Sequence, residues 1–206
     1  MLLRKKLPSM KVTKQKIGAV AGLLAPVLAF TCILSAIATY PKFSWTNNAL
    51  SDLGVVKGIT GPLFNFGLIA SGFLGFIFAV FGLFTYLRKS FVGKAGTLAF
   101  AAATVTLIAI GVFNENFSGT HYAVSVVFFV LVPVSLFIIT CAFVLAHQTP
   151  TAILTVGIGV VAALSWILLF AFNYVPNVAI PETISGLAVS AWTITLGYRM
   201  MKQAKD

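Results

Sequence analysis

Charge is what this sequence most lacks. Of its 206 residues only 9% are Asp, Glu, Lys or Arg, and four are acids. A soluble domain carries about a quarter. A chain that is 59% hydrophobic, with a mean hydropathy of +1.02, cannot cover its own surface against water. That excludes an ordinary soluble fold and makes the bilayer the solvent for most of the chain. Cysteine is scarce as well. Cys32 and Cys141 lie in separate apolar runs, at helix depths that differ by roughly 20 Å at the α-helical rise. A disulfide between them is out of reach, and both read as small packing residues. No CxxC, HExxH, Gly-rich phosphate loop or serine nucleophile elbow occurs, so the common redox, zinc-protease, nucleotide and hydrolase signatures are missing. Finally, no ionisable residue falls deep in any apolar run, which argues against proton relays and voltage sensors.

What is present is a series of long apolar runs. Six reach spanning length, at about 17–39, 62–87, 93–113, 121–146, 152–172 and 181–199. The breaks are local: Pro41 after the first, Gly61-Pro62 at the start of the second, Arg88-Lys89 at its end. FNENFSGTH follows the third run and HQTP the fourth. FNYVPNVAIPE follows the fifth, and Pro181 opens the sixth. Pro62 is expected at the first helical position, where its missing N–H costs nothing. The fold class is therefore all-α: a polytopic six-transmembrane-helix bundle. Its organisation is a basic cytoplasmic arm (1–16), one transmembrane domain (17–199) and a cytoplasmic tail (200–206). The arm reads as the flank of a retained first helix, because the run after it is too long for a signal-peptide core.

The net charge of +10 invites a nucleic-acid reading, which the positions reject. With the N-terminus inside, twelve of the fourteen basic residues fall on inner segments and only Lys42 and Lys57 on outer ones. That is the topogenic bias of a multi-pass protein with both termini cytoplasmic, in the cell membrane. The expected partners are the lipid bilayer and a membrane-protein partner, with no nucleic acid. Small residues at four-residue spacing, Gly18 and Gly22 in the first run and Ser71, Gly75 and Ala79 in the second, are expected to let helices approach closely within the bundle.

Polar chemistry gathers at the outer helix ends. The first outer loop supplies Asn47, Asn48, Ser51 and Asp52, the second helix Asn65, the third-to-fourth turn Glu115 and His121, and the sixth helix Glu182. The loop stretch SWTNNALSDLG is expected to form one or two helical turns at the interface, anchored by Trp45 and stopped by Gly54. Asn65, one turn into an apolar helix, needs a partner, and the first outer loop is the obvious one. Glu182 in a first helical turn is explained by the helix dipole alone, and Asp52 by bonds to nearby backbone N–H groups. His121, after the N-cap candidate Thr120, is expected to be neutral and to bond Glu115. No cofactor is expected. Asp52, Glu115, His121 and Glu182 are ligand types that suit zinc or a harder divalent ion, but a cluster without metal is the preferred reading because no close-spaced ligand motif accompanies them.

The stretch YPKFSWTNNALSDLG resembles the membrane family called domain of unknown function 998. The likeness rests on Asn48, Ser51, Asp52, Leu53 and Gly54, on Asn65 early in the second helix, and on Glu115 followed by His121. It runs from about 17 to 199. It implies a six-helix fold, an outer site around Asp52 and, since such proteins are common in archaea, an archaeal source; it implies no activity. Three functions are weighed. First is an accessory or lipid- or partner-binding scaffold, with the outer polar residues locking the first loop over the bundle. Second is a membrane-embedded hydrolase acting on lipid headgroups, with Asp52 or Glu115 as base, His121 as base or ligand and Asn48 as oxyanion donor. Last is a small-solute channel or carrier.

Overall fold

A computed structural model describes residues 14–203. Most of the expected basic arm (1–16) and the last residues of the tail lie outside that range. Among the described residues the chain is helical throughout, without strands. The long helices are α1 (Lys14–Ala38), α2 (Thr60–Tyr86), α3 (Phe91–Val112), α4 (Ser118–Leu145), α5 (Thr149–Phe172) and α6 (Ala179–Gln203). The first five are long and apolar enough to cross a membrane. α6 is as long as α1, at 25 residues, but carries more hydroxyls and charged ends, so its composition falls short of the other five.

Several boundaries differ from the sequence reading. α2 begins at Thr60 and α6 at Ala179, so Pro62 and Pro181 are third in their helices rather than first. The cost is still nil, because the first four amides of a helix have no intrahelical acceptor. α4 begins at Ser118, ahead of Thr120, and has no side-chain N-cap. α3, by contrast, is capped by Ser90, whose hydroxyl accepts the Gly93 amide at 3.0 Å.

The helices form a ring in chain order. Each packs on its sequence neighbours, and α6 closes the circuit against α1. Both chain ends of the bundle lie together, with Gln15 Nε2 donating to the Met200 carbonyl. The opposite end, called the loop face here, carries the segment 39–59, the α3–α4 turn and the α5–α6 turn.

Near its middle the ring is filled. Trp192 of α6 stands edge-on to Phe78 of α2 (centroids 6.0 Å) and against Phe100 of α3 (5.2 Å). Phe78 and Trp192 are fully buried, and the indole N–H donates to Thr155 Oγ1 of α5 at 3.0 Å. This aromatic plug ties four helices together. α2 reaches it through a π-helical turn, Phe78–Leu83, a device that shifts the register of a helix face by one residue.

The turn sits where α1 comes closest. A Cβ on Gly18 would collide with the Gly82 backbone, and one on Gly22 would meet the Phe78 ring. On the other side of α2, Ala79 is buried, a Cβ on Gly75 would press on Thr104 Cγ2 of α3 at 2.9 Å, and Ser71 returns its hydroxyl to the Gly67 carbonyl. Backbone-to-backbone packing of this kind replaces the hydrophobic effect as the cement between helices in lipid. Cys32 is buried and Cys141 exposed; neither is in a disulfide.

Candidate functional site at the loop face

The segment 39–59 lies across the end of the ring. Its helical piece is a 3-10 helix, Ser51–Val55, between one and two turns as expected, but ended by extended Val56, so Gly54 is not a left-handed stop. The left-handed glycine is Gly58, at φ +85. Gly54 has another role: a Cβ there would sit 2.6 Å from Asn65 Oδ1. Trp45 is exposed and packs edge-on to Phe43 at 5.2 Å.

Three carboxyl groups from three segments converge on residues 48–52. Asp52 Oδ2 accepts from Asn48 Nδ2 at 2.6 Å and from the Ala49 amide at 3.0 Å. Glu115, in the turn between α3 and α4 and outside both helices, accepts from Ser51 Oγ at 2.7 Å. Glu182 Oε2, from the first turn of α6, accepts the Leu50 amide at 2.6 Å. The two 2.6 Å bonds are short for N–H···O contacts. Burial holds the Glu115 carboxyl above the usual carboxylate range; the Ser51 hydrogen bond works against this, and the negative charge of Asp52 adds to it.

Asn65 donates Nδ2 to the Gly54 carbonyl at 2.9 Å, and its Oδ1 is buried without a hydrogen-bond partner among the described residues. Asn47 stands apart, exposed, with its side chain on Ser44. His121 is buried but does not bond Glu115. Its Nδ1 lies 2.7 Å from the Phe113 carbonyl and must donate there, since a carbonyl only accepts. Helix α4 begins three residues earlier than expected, which turns the ring back toward the end of α3. Among the described residues, no three of His, Cys, Asp and Glu come close enough together to hold a metal ion.

The model of the family described as "Protein of unknown function (DUF998)" matches residues 23–199. The chain belongs to this family. The match takes in the loop, both turns and all four acid or histidine positions of the DUF998 loop face. No curated protein and no solved structure matches the chain.

The sequence reading missed the α5–α6 turn of this DUF998 protein. Asn177 donates Nδ2 to the Asn47 carbonyl at 3.0 Å and its amide to the Thr46 carbonyl at 3.1 Å, and the Ala179 amide reaches the Asn48 carbonyl at 3.0 Å. The signal available was Asn177 in a loop bracketed by Pro176 and Pro181, where a rigid turn presents an amide side chain at a fixed place. The Leu50 amide carried no signal, because a backbone donor looks the same at every residue.

Proposed function

We propose that this DUF998 protein is a six-span protein of the cell membrane with both termini cytoplasmic, in which α6 is the sixth span. In this reading residues 1–16 are a cytoplasmic arm, 17–199 one transmembrane unit and 200–206 a tail. It works as an accessory or lipid- or partner-binding scaffold, with the loop face outward. The span count is supported by the length of α6 and by its position in the ring between α5 and α1. Orientation is supported by the twelve-to-two distribution of Lys and Arg.

The observation that carries the scaffold reading is how the carboxyl groups are engaged. Asp52, Glu115 and Glu182 each bind residues 48–51 of the loop itself. A general base must be free to reach a substrate proton. Each acid instead puts one of its oxygens to holding the loop down, and Asn48, the candidate oxyanion donor, gives its Nδ2 to Asp52.

Two measurements test the reading. In a variant with Cys32 and Cys141 replaced by alanine, single cysteines at Lys57 and Gln148 are labelled in intact cells with an impermeant maleimide. Lys57→Cys is expected to react at once and Gln148→Cys only after permeabilisation; the reverse pattern overturns the topology. Asp52→Ala and Asn65→Ala are each expected to lower the melting temperature in detergent, and unchanged melting in both overturns the locking role.

A further inference from the structure

The chain-end face of the bundle, opposite the loop face, holds a cavity of about 420 Å³. Its walls are the last turn of α2 and the turn that follows (85–90), the ends of α1, α4 and α6, and Gln148 before α5. One water needs roughly 10–15 Å³ of such space, so this cavity has room for a whole polar solute group.

The charges at this face are unevenly used. Arg88 and Lys89 both line the cavity. They occupy the two corners of a turn closed by the Ser90 amide on the Leu87 carbonyl at 2.9 Å. Neither has a hydrogen bond or ion pair among the described residues. Other bases of the same face are engaged away from the cavity. Arg199 donates to Thr151 Oγ1 at 2.5 Å, Lys94 stands over the Phe84 ring at 5.9 Å, and Lys202 over the Tyr198 ring at 4.7 Å. A topogenic role asks only that bases lie on the inner side. It gives no reason for an adjacent pair to stand unengaged beside a polar hollow. Among the described residues no carboxyl group lines the cavity, and Asp52, Glu115 and Glu182 are all at the loop face. Asp206, three residues beyond Gln203, lies outside the described residues. Thr85 and the amides of Gln15, Gln148 and Gln203 complete the polar wall. Of these four only Gln15 makes a side-chain hydrogen bond among the described residues, a long one of 3.5 Å to the Met200 carbonyl.

We propose that this cavity binds a phosphate monoester. The choice follows from the charges and donors. An arginine fork meets two phosphate oxygens at once, and a neighbouring lysine adds a point charge. Together they balance the charge of about −1.5 to −2 that a phosphate monoester carries at neutral pH. A carboxylate leaves one cation uncompensated, and a cationic or apolar ligand leaves both. The glutamine amides and the Thr85 hydroxyl can donate and accept, which suits an ester substituent that bears hydroxyls. Basic pockets between transmembrane helices hold lipid headgroups by the same chemistry, so the ester belongs either to a lipid such as phosphatidic acid or to a solute such as glycerol 3-phosphate. The proposal goes beyond the scaffold reading. It lies at the other end of the molecule from the locked loop and takes from the proposed topology only that the cytoplasm is the source.

The test uses the full chain in phosphate-free maltoside detergent, titrated with glycerol 3-phosphate by calorimetry. Saturable binding is expected, about tenfold tighter than that of glycerate at matched ionic strength. Arg88→Gln should weaken it about tenfold or more, the effect of one lost charge-assisted hydrogen bond. Arg88→Lys, which keeps the charge and loses the fork, should fall between. Lys94→Gln removes the same charge outside the cavity and should bind as wild type does. Melting curves without ligand confirm that each variant folds. Native mass spectrometry distinguishes the sources. Phosphatidic acid retained over phosphatidylcholine by wild type and lost in Arg88→Gln assigns the site to a lipid. Glycerol 3-phosphate binding that added phosphatidic acid does not displace assigns it to a solute.

Binding of neither ester above glycerate or phosphatidylcholine overturns the proposal. So does an equal loss in Lys94→Gln and Arg88→Gln, the mark of net charge alone. Binding seen only in Asp206→Asn gives the cavity to the chain's own tail and overturns it too. Failure here leaves the maleimide and loop-melting results standing, whereas reversed maleimide labelling changes the compartment of the site and leaves binding in detergent intact.

Discussion

Glu182 and Leu50 are 132 residues apart in sequence, yet the Glu182 carboxyl accepts the Leu50 amide at 2.6 Å. The bond latches the first loop to the last helix of the ring. Glu182→Leu leaves that amide without its acceptor, and an unsatisfied buried donor costs about 1–3 kcal/mol. Glu182→Gln keeps an acceptor oxygen and should lose less. Melting in detergent, followed by size-exclusion chromatography after heating, is expected to rank wild type above Gln and Gln above Leu. Equal melting of all three variants rules the latch out.

Asp52 organises the loop from within. Its Oδ2 gathers Asn48 Nδ2 and the Ala49 amide, so Asp52→Ala releases two donors at once. Hydrogen exchange over residues 44–52 is expected to quicken about tenfold or more, the effect of losing roughly 1.5 kcal/mol of local protection, while α2–α5 exchange as before. Asp52→Asn, which keeps an acceptor, should lie between.

Glu115 gives the loop a pH dependence of definite sign. Its carboxyl is held above the ordinary range in the folded protein, so the folded state binds that proton more tightly than the unfolded state does. Its contribution to stability is then greatest below the ordinary carboxylate pKa and is lost as pH rises through the raised folded value. The melting temperature of wild type minus that of Glu115→Gln is expected to fall as pH rises from mildly acidic to neutral. A flat difference across that window removes Glu115 from the account.

The α1–α2 contact predicts a steric failure. A Cβ at Gly18 collides with the backbone at Gly82, which cannot rotate away as a side chain can. Gly18→Leu should cost more than about 3 kcal/mol, in the range of severe overpacking, and should appear as a loss of monodisperse protein after extraction. Gly157→Leu, at a glycine with open space around it, is the control and should be recovered normally.

The helices were legible in the sequence because hydrocarbon tolerates little else than long uncharged runs. Five of the six are unmistakable by that criterion. α6 is less so, since Thr183, Ser185, Ser190, Thr193 and Thr195 dilute its hydropathy, and Thr183, Thr193 and Thr195 return their hydroxyls to carbonyls of their own helix. The link between Asn65 and the loop was legible because a lone amide near the hydrocarbon edge needs a partner.

Other features left no trace. The π turn at Phe78–Leu83 lies where α1 comes closest, and its residue types do not announce it. His121 finds the Phe113 carbonyl because α4 starts at Ser118, a boundary that no side-chain cap announces.

Closure of the ring has a consequence for biogenesis. The five helices that leave the ribosome first form an open arc, with Thr155 lacking its indole donor and the loop lacking the acid that fastens it. Both arrive on α6, so on the proposed six-span topology the arc keeps an unfinished seam open to quality-control proteases until α6 inserts. Substitutions that slow insertion of α6 should therefore shorten the lifetime of the newborn chain even where the completed protein is stable.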